Sequence, residues 1–391
     1  MRLLKRTWAD ISLDNLAHNY ASLRGNVPSN CKFLGVVKAD AYGHGAVPVS
    51  RRLKELGAEY LAVSNFEEAL QLRRADIRLP ILILGYTPPI YAPDMADMGI
   101  RQELHSLEYA RQLNARMEGT GKRLTVHLKL DTGMSRLGFF AYDSEQSFDE
   151  LLTAARLPNL LCEGIFTHFP TADSFAPEDR AFTRLQFDRF MRTVESLQAS
   201  GVGFELRHCC NSAAAILYPE FALDMIRPGI ATYGVSPSDE LAGRIDLKPM
   251  MSLRTSISQI RDFPAGVSVS YGRTYTTPSP RRIAVLCIGY ADGLPRRLSN
   301  EASFLLHGRP VPVLGRICMD MCMVDVTDAP EAKVGDTVTI FGTDGEACRS
   351  VEDMARSLDT IPYELLCDIN KRTPRIYLDG SQRIEVLQYI L

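Results

Sequence analysis

What the 391-residue chain lacks narrows its class first. No apolar run approaches the ~20 residues that a membrane span requires. Neither sign of charge dominates. The 44 basic and 47 acidic side chains leave a net charge of −3, so neither nucleic acid nor an anionic membrane is expected as a partner. The nine cysteines include no CxxC pair with zinc spacing, and no metal site is expected. Cys209 and Cys210 are adjacent, while Cys318 and Cys322 lie among methionines. The basic N-terminus, Met1 to Trp8, has no long apolar core of the kind a signal peptide carries. An odd cysteine count without such a signal argues for reduced thiols and a cytoplasmic protein. Neither GxxxxGK[ST] nor GxGxxG occurs, which removes the usual warrant for a nucleoside triphosphate or dinucleotide ligand. No internal repeat or low-complexity segment is present.

What is present is an alternation. Apolar runs at Phe33–Val37, Tyr60–Val63, Ile81–Leu84, Leu124–Leu130, Leu161–Thr167, Glu205–Arg207 and near Met225 are separated by amphipathic segments. These are Ala46–Leu56, Phe66–Arg74, Leu107–Met117, Ser147–Ala155 and Phe182–Ala199, with an earlier one at Asn15–Leu23. Asp14 and Asn65 stand where helix caps belong. Such alternation implies right-handed βαβ units and a parallel sheet. Roughly eight units fit a closed (β/α)8 barrel better than an open doubly wound sheet. After Pro237 the texture changes to short β-rich runs punctuated by Gly and Pro, interrupted by one helix near Val351–Leu358. The chain therefore reads as an α/β class protein. A barrel over residues 1–240, whose first few residues can pack with the second domain, precedes a mostly antiparallel β domain over 241–391.

In a barrel, polar residues at strand C-termini converge on one mouth. Here they are Lys38, Lys129 with Arg136, His168, Asn211 with Ser212, and Arg227. Lys38 ends a buried strand, where lost hydration favours the neutral amine that can form a Schiff base; a solvent-seeking lysine is the plainer alternative. Lys129 lies inside an apolar strand, where a lone ammonium is costly and calls for a partner, a modification or a wet mouth. Arg227-Pro228-Gly229-Ile230 offers a glycine amide for the close approach of an anion.

Seven segments, in order across both domains, resemble alanine racemases, which are pyridoxal-phosphate enzymes. They are Val37-Lys38-Ala39-Asp40-Ala41-Tyr42-Gly43-His44-Gly45, Lys129-Leu130-Asp131-Thr132-Gly133-Met134-Ser135-Arg136-Leu137-Gly138, Asn211-Ser212-Ala213-Ala214, Arg227-Pro228-Gly229-Ile230, Val269-Ser270-Tyr271-Gly272, Ile288-Gly289-Tyr290-Ala291-Asp292-Gly293 and Gly315-Arg316-Ile317-Cys318-Met319-Asp320. The resemblance implies Lys38 as the lysine that holds pyridoxal 5′-phosphate and acts as one catalytic base. It implies Tyr271, from a partner subunit of a homodimer, as the opposed one. His168 and Arg227 then stand behind that tyrosine, with Arg227 also facing the cofactor ring. Tyr42, Ser212, Gly229, Ile230 and Tyr363 match phosphate contacts, and Asn211 lies among the cofactor-binding positions. Arg136 and the Met319 amide match the binders of the substrate carboxylate, and Lys129 a lysine that family members often carry as a carbamate.

The resemblance also bears on substrate. Tyr363 matches a tyrosine that crowds the pocket and favours alanine, and Tyr290 a residue at the entrance. Arg273 adds a charge two residues from Tyr271, with no orientation legible. An apolar pocket rejects one extra hydroxyl poorly, so some serine turnover is expected. A serine or broad-specificity racemase of the same fold and a non-catalytic cofactor carrier are the competing readings. The carrier is disfavoured by the β domain bearing Tyr271 and Met319.

Overall fold

The computed structural model describes residues 6–142 and 145–390. Two compact units divide it: Leu16–Ala41 with Ala46–Lys248 in one, and the residues up to Asn15, Tyr42–Gly45 and those from Pro249 onward in the other.

The first unit is a parallel barrel. Its strands are Lys32–Val36, Tyr60–Val63, Ile81–Ile83, Ile100–Leu104, Leu124–Asp131, Leu160–Phe166, Leu206–His208 and Met225–Ile226. Each pairs in parallel with its chain neighbour from Lys32–Val36 round to Leu206–His208, and Met225–Ile226 returns to pair with Lys32 and Phe33. The remaining seam is closed by single bonds: Asp224 N–H donates to the Arg207 carbonyl and Arg227 N–H to that of Cys210. The helices Ala46–Leu56, Phe66–Arg74 and Leu107–Met117 carry their buried residues at helical spacing, for example Ala46, Val49, Ser50 and Leu53. Asn65 caps its helix by accepting the Glu68 N–H, whereas Asp14 caps nothing of the sort: the Ser12 hydroxyl accepts the Asn15 N–H instead.

One barrel strand has no apolar run to announce it. Ile100–Leu104 reads Ile-Arg-Gln-Glu-Leu, yet Gln102 and Glu103 are fully buried. The Gln102 amide donates to the Gly85 and Glu103 carbonyls and Glu103 Oε1 pairs with His105 Nδ1 at 2.8 Å, while Gln102 Oε1 and Glu103 Oε2 are buried with no hydrogen-bond partner among the described residues.

The second unit is mostly antiparallel. Its long strand Met251–Phe263 pairs antiparallel with Thr337–Asp344, Arg281–Leu286 and the N-terminal strand Thr7–Ser12. Thr7–Ser12 also pairs, in parallel, with Arg375–Asp379. Two elements differ from their sequence pattern. Within the β-rich stretch after Pro237, pairing is confined to the short strands Ser268–Val269 and Tyr275–Thr276, because Ser270, Gly272 and Arg273 adopt positive φ between them. A short helix, Pro362–Cys367, opens on Pro362 and carries Tyr363. Among the described residues, no helix is long and apolar enough to cross a membrane.

Gly43 and its neighbours lie in this second unit. Arg375, buried, donates to four carbonyls there, those of Gly43 at 2.9 Å, Asn370, Thr373 and Ile369. Gly43 has φ +78, and a Cβ there would sit 2.0 Å from the Leu366 carbonyl oxygen. Gly43→Ala is expected to cost about 1–3 kcal/mol from conformation alone, with the clash adding to it. A denaturation midpoint equal to that of the parent chain would contradict this reading.

Candidate active site

Lys38 lies two residues beyond its strand, half-buried, and starts an unusual turn. Ala39, Asp40, Ala41 and Tyr42 all have left-handed φ values, between 50° and 54°. For L-residues this costs roughly 1–2 kcal/mol each, so the surroundings must hold it. The glycines that the sequence offers for a turn come only afterwards, at Gly43 and Gly45. Ala41 N–H donates to the Val37 carbonyl at 2.9 Å. The Asp40 carboxylate accepts the Ala46 N–H at 2.9 Å, tying the turn to the start of the next helix. Glu68 accepts from Ala39 N–H and from Ser64 N–H, both at 2.7 Å, and so clamps the loops after two successive strands. Sequence reasoning missed Glu68. At the third position of a capped helix it resembles an ordinary capping-box glutamate, and only the fold shows its carboxylate reaching the lysine turn.

Arg227 follows the last barrel strand and is buried. Its Nη2 donates to the Thr167 carbonyl at 2.7 Å, to the Cys209 carbonyl at 3.2 Å and towards His168 Nδ1 at 3.4 Å. Its Nη1 donates to His208 Nδ1 at 3.0 Å. Burial lowers its pKa to about 10, still high enough to keep it charged near neutrality. His168 is held well below the ordinary histidine range by burial and then by the charges of Arg227, Arg136, Lys129 and Lys38. The neutral ring accepts at Nδ1 from Arg227, which leaves Nε2–H as its donor.

Lys129 is also buried, with its ammonium 5.6 Å from the centre of the Phe166 ring. The Arg227 guanidinium lies 5.2 Å from that same ring. Burial lowers the Lys129 pKa to about 8; Glu103 opposes the shift, and Arg136 and Arg227 add to it. Asp131, two residues on, spends one carboxylate oxygen on the Gly133 and Ser135 amides and so shapes the loop that leads to the exposed Arg136.

A second group lies close by along the chain. The Ser212 hydroxyl accepts the Gly229 N–H at 2.8 Å and the Ala231 N–H at 3.3 Å. Ile230 opens a 3₁₀ turn, whose first N–H groups have no partner inside the turn. Asn211 caps the Ser212 helix through Ala214 N–H and donates to the Phe169 carbonyl. This unit therefore brings together Lys38, Lys129, Arg136, His168 and Arg227, with the Ser212 and Gly229–Ile230 amide cluster beside Arg227 in sequence. A cationic mouth with such an amide and hydroxyl cluster beside it in sequence suits a phosphorylated, carboxylate-bearing ligand.

The other unit holds the remaining candidates. Tyr42 and Tyr363 stand with ring centroids 6.0 Å apart, and burial, then the nearby Tyr363 and Cys367, pushes the Tyr42 phenol up. Tyr271 tops its turn with 69% of its surface exposed, and Met319 is 53% exposed. Both line one groove of 660 Å³ with Arg261, Phe263, Asp320 and Met321. Ser270, at φ 64, is held by donating to the Arg316 carbonyl at 2.6 Å. Arg273 folds back along its own hairpin, with Nε donating to the Ser268 hydroxyl at 2.8 Å. Tyr290 is exposed. Among the described residues, no group of three or more His, Cys, Asp or Glu is placed to hold a metal ion.

Two family models match the chain: alanine racemase, N-terminal domain, over residues 11–237, and alanine racemase, C-terminal domain, over residues 250–377. The chain is 44% identical to an alanine racemase of Desulforamulus reducens over 372 residues, covering 95% of this chain and 98% of that one. It is likewise 44% identical to one of Desulfosudis oleivorans, covering 96% and 97%. Among solved structures, an alanine racemase of Clostridium difficile superimposes with a TM-score of 0.94 at 39% identity, covering all of both chains. One from Bacillus anthracis, with bound L-Ala-P, gives a TM-score of 0.93 at 33% identity over 100% of this chain and 99% of that one.

Two predictions follow from the geometry of the mouth. Glu68→Ala leaves two backbone donors without their carboxylate and is expected to destabilise the protein by about 2–3 kcal/mol; an unchanged urea midpoint would show that the clamp contributes nothing. Lys129 binds its proton less tightly folded, at about 8, than the ordinary 10.5. The folded state therefore holds fewer protons between these values, and in protein freed of carbon dioxide this group's contribution to stability rises with pH across that window. Lys129→Met should flatten that slope, as followed by denaturation at stepped pH.

Proposed function

The chain belongs to the alanine racemase family of isomerases, and from that premise we propose that it interconverts L- and D-alanine through two opposed acid–base groups, Lys38 and Tyr271, with pyridoxal 5′-phosphate as cofactor. The observation that carries the reading is Arg227: a buried cation pinned by four acceptors at the back of a mouth that also holds Lys38. When bound, the cofactor supplies an electron sink that makes the substrate's Cα–H acidic. An arginine facing its ring nitrogen can donate a hydrogen bond but not hand over a proton, which keeps that sink weak. A weak sink favours return of the proton to Cα, hence racemisation, over its delivery elsewhere.

The phosphate is assigned to the Gly229 and Ile230 amides, Ser212, Tyr42 and Tyr363, with Asn211 holding the helix start on which Ser212 sits. The substrate carboxylate is assigned to Arg136 and the Met319 amide. Lys38 would hold the cofactor, and its amine, when free, would take or return the proton on one face of Cα. Tyr271 does so on the other. A phenol with an ordinary pKa near ~10 needs support to act as a base near neutrality. The Nε2–H of neutral His168 is suited to donate to its oxygen.

Lys129, with a pKa brought to about 8, has the neutral amine fraction that reacts with carbon dioxide. We assign it a carbamate that orients Arg136, and the carbamate removes the cost of a buried cation. Exposure of Tyr271, Met319 and Met321 on the β unit supports a homodimer in which each copy completes the other's site. D-alanine for peptidoglycan is the physiological role this reading carries, in the cytoplasm. The crowding attributed to Tyr363 favours alanine over serine.

Exchange of the Cα proton of each alanine enantiomer in deuterated water, with and without added cofactor, tests the activity. Equal turnover of L-alanine, L-serine and L-lysine would overturn the alanine assignment. Tyr271→Phe and Lys38→Ala are each expected to be inactive. Mixed, they should recover up to about a quarter of the parent activity, because random exchange makes half the dimers mixed and each mixed dimer has one intact site. No recovery despite demonstrated subunit exchange would remove the shared site. A labelled carbon dioxide resonance that survives Lys129→Met would place the carbamate elsewhere.

A further inference from the structure

Behind Arg227 the barrel interior holds a continuous polar chain. His208 Nε2 lies 2.9 Å from His127 Nδ1, and His127 Nε2 lies 3.0 Å from Glu163 Oε2. Arg101 closes the far end with a two-pronged contact to Glu163, Nε to Oε2 at 3.0 Å and Nη2 to Oε1 at 2.9 Å. His127 and His208 are fully buried, so no solvent competes for their ring nitrogens.

The direction of every hydrogen bond in this chain is forced. Arg227 can only donate, so His208 Nδ1 must accept. An imidazole needs at least one proton, so that of His208 sits on Nε2 and is donated to His127 Nδ1. His127 must then carry its proton on Nε2, donated to the Glu163 carboxylate. Glu163 accepts at both oxygens, because Arg101 too can only donate. Two arginines with donors only, one at each end, need a single acceptor-only group, and Glu163 is that group.

Two packing features hold the rings in line. The Phe166 ring stacks on His208 at 4.9 Å with an interplanar angle of 5°. Gly164 makes room for His127, since a Cβ there would meet the ring at 2.5 Å from Nδ1 and 2.7 Å from Cε1.

We propose that Glu163 is a positioning residue for the reaction: through the tautomers of His127 and His208 it fixes the rotation of the Arg227 guanidinium, and with it the donor that Arg227 presents to the cofactor ring. The proposal rests on the assignment of Arg227 to that ring. The same one-way order means that the chain is an anchor and carries no proton to or from the mouth, since neither ring has a second proton to pass on. It resembles the carboxylate that orients a catalytic histidine, extended by one further imidazole and ending on an arginine.

The test begins on the unaltered holoenzyme. With seven histidines in the chain, ¹⁵N-histidine spectra can be assigned by substitution. Both His127 and His208 are expected as Nε2–H tautomers; an Nδ1–H form on either ring overturns the proposal whether or not any variant folds. Glu163→Gln then poses a conflict. Its amide oxygen can face His127 or Arg101 but its NH2 must face the other, and both need an acceptor. The rings should lose their single tautomeric form, and the cofactor absorbance should shift. Pyruvate formation relative to racemisation should rise about tenfold, and kcat should fall about tenfold with KM changing less than about threefold. The double variant Arg101→Leu/Glu163→Gln frees the amide oxygen for His127 and should restore the parent tautomers, absorbance and product ratio. A merely structural role predicts that the double variant is no better than the single one. If Glu163→Gln changes the ring tautomers while absorbance and product ratio stay at parent values, Glu163 does not act through Arg227. If instead the parent enzyme fails to racemise alanine, the proposed function falls, and the tautomers still decide the order of the chain.

Discussion

The structure depends on a backbone constraint: four consecutive L-residues, Ala39 to Tyr42, held in the left-handed region directly after Lys38. No isolated chain keeps such a turn, which costs roughly 4–8 kcal/mol at 1–2 per residue. What stabilises it is spread over the fold. Glu68 and Asp40 hold its amide neighbours, while Arg375 grips the Gly43 carbonyl that follows. The turn reverses the chain within a few residues, and the two compact units divide between Ala41 and Tyr42. Strain of this kind is found where local geometry is over-determined by its surroundings.

The site's electrostatics have a second organising rule, that four cations act together on His168 while neutral acceptors hold Arg227. Lys38, Lys129, Arg136 and Arg227 all depress His168, and carbonyls or imidazoles, never a carboxylate, meet Arg227 directly. The nearest carboxylate in that chain, Glu163, stands two histidines away. Burial would raise it, but hydrogen bonds from His127 and Arg101 reverse that and hold it at about 2.

Most of the barrel was legible because its strands are short apolar runs and its helices carry their core residues at helical spacing. Tyr60–Val63, Ala46–Leu56, Phe66–Arg74 and Leu107–Met117 have the same bounds in sequence pattern and structure. Ile100–Leu104 was not legible, since its buried Gln102 and Glu103 interrupt the apolar pattern that marks the other barrel strands. The clustering of Lys38, Lys129, His168 and Arg227 was legible because each ends or interrupts an apolar run. Glu68, His127, Glu163 and Arg375 were not. Glu68 looks like a cap, Glu163 like a solvated charge in mid-strand, and Arg375 like a surface arginine until four carbonyls surround it. What decides these residues is which distant backbone they meet, and periodicity carries no trace of that.

The N-terminal strand Thr7–Ser12 lies between Met251–Phe263 and Arg375–Asp379, partners that lie at the other end of the chain. During synthesis it emerges before either and waits for both. At about 5–20 residues per second, some 240 residues and roughly 10–50 s separate it from its nearer partner. Over that interval the barrel's own strands can all be made, while the first strand has both edges unpaired. Its composition suits the wait: Thr7-Trp8-Ala9-Asp10-Ile11-Ser12 is short and interrupted by a charge, a poor template for pairing with another nascent chain. Assembly of the second unit is thus tied to the arrival of the chain's last hundred and forty or so residues, and a ribosome that stops early would release a barrel whose leading strand has nothing to pair with.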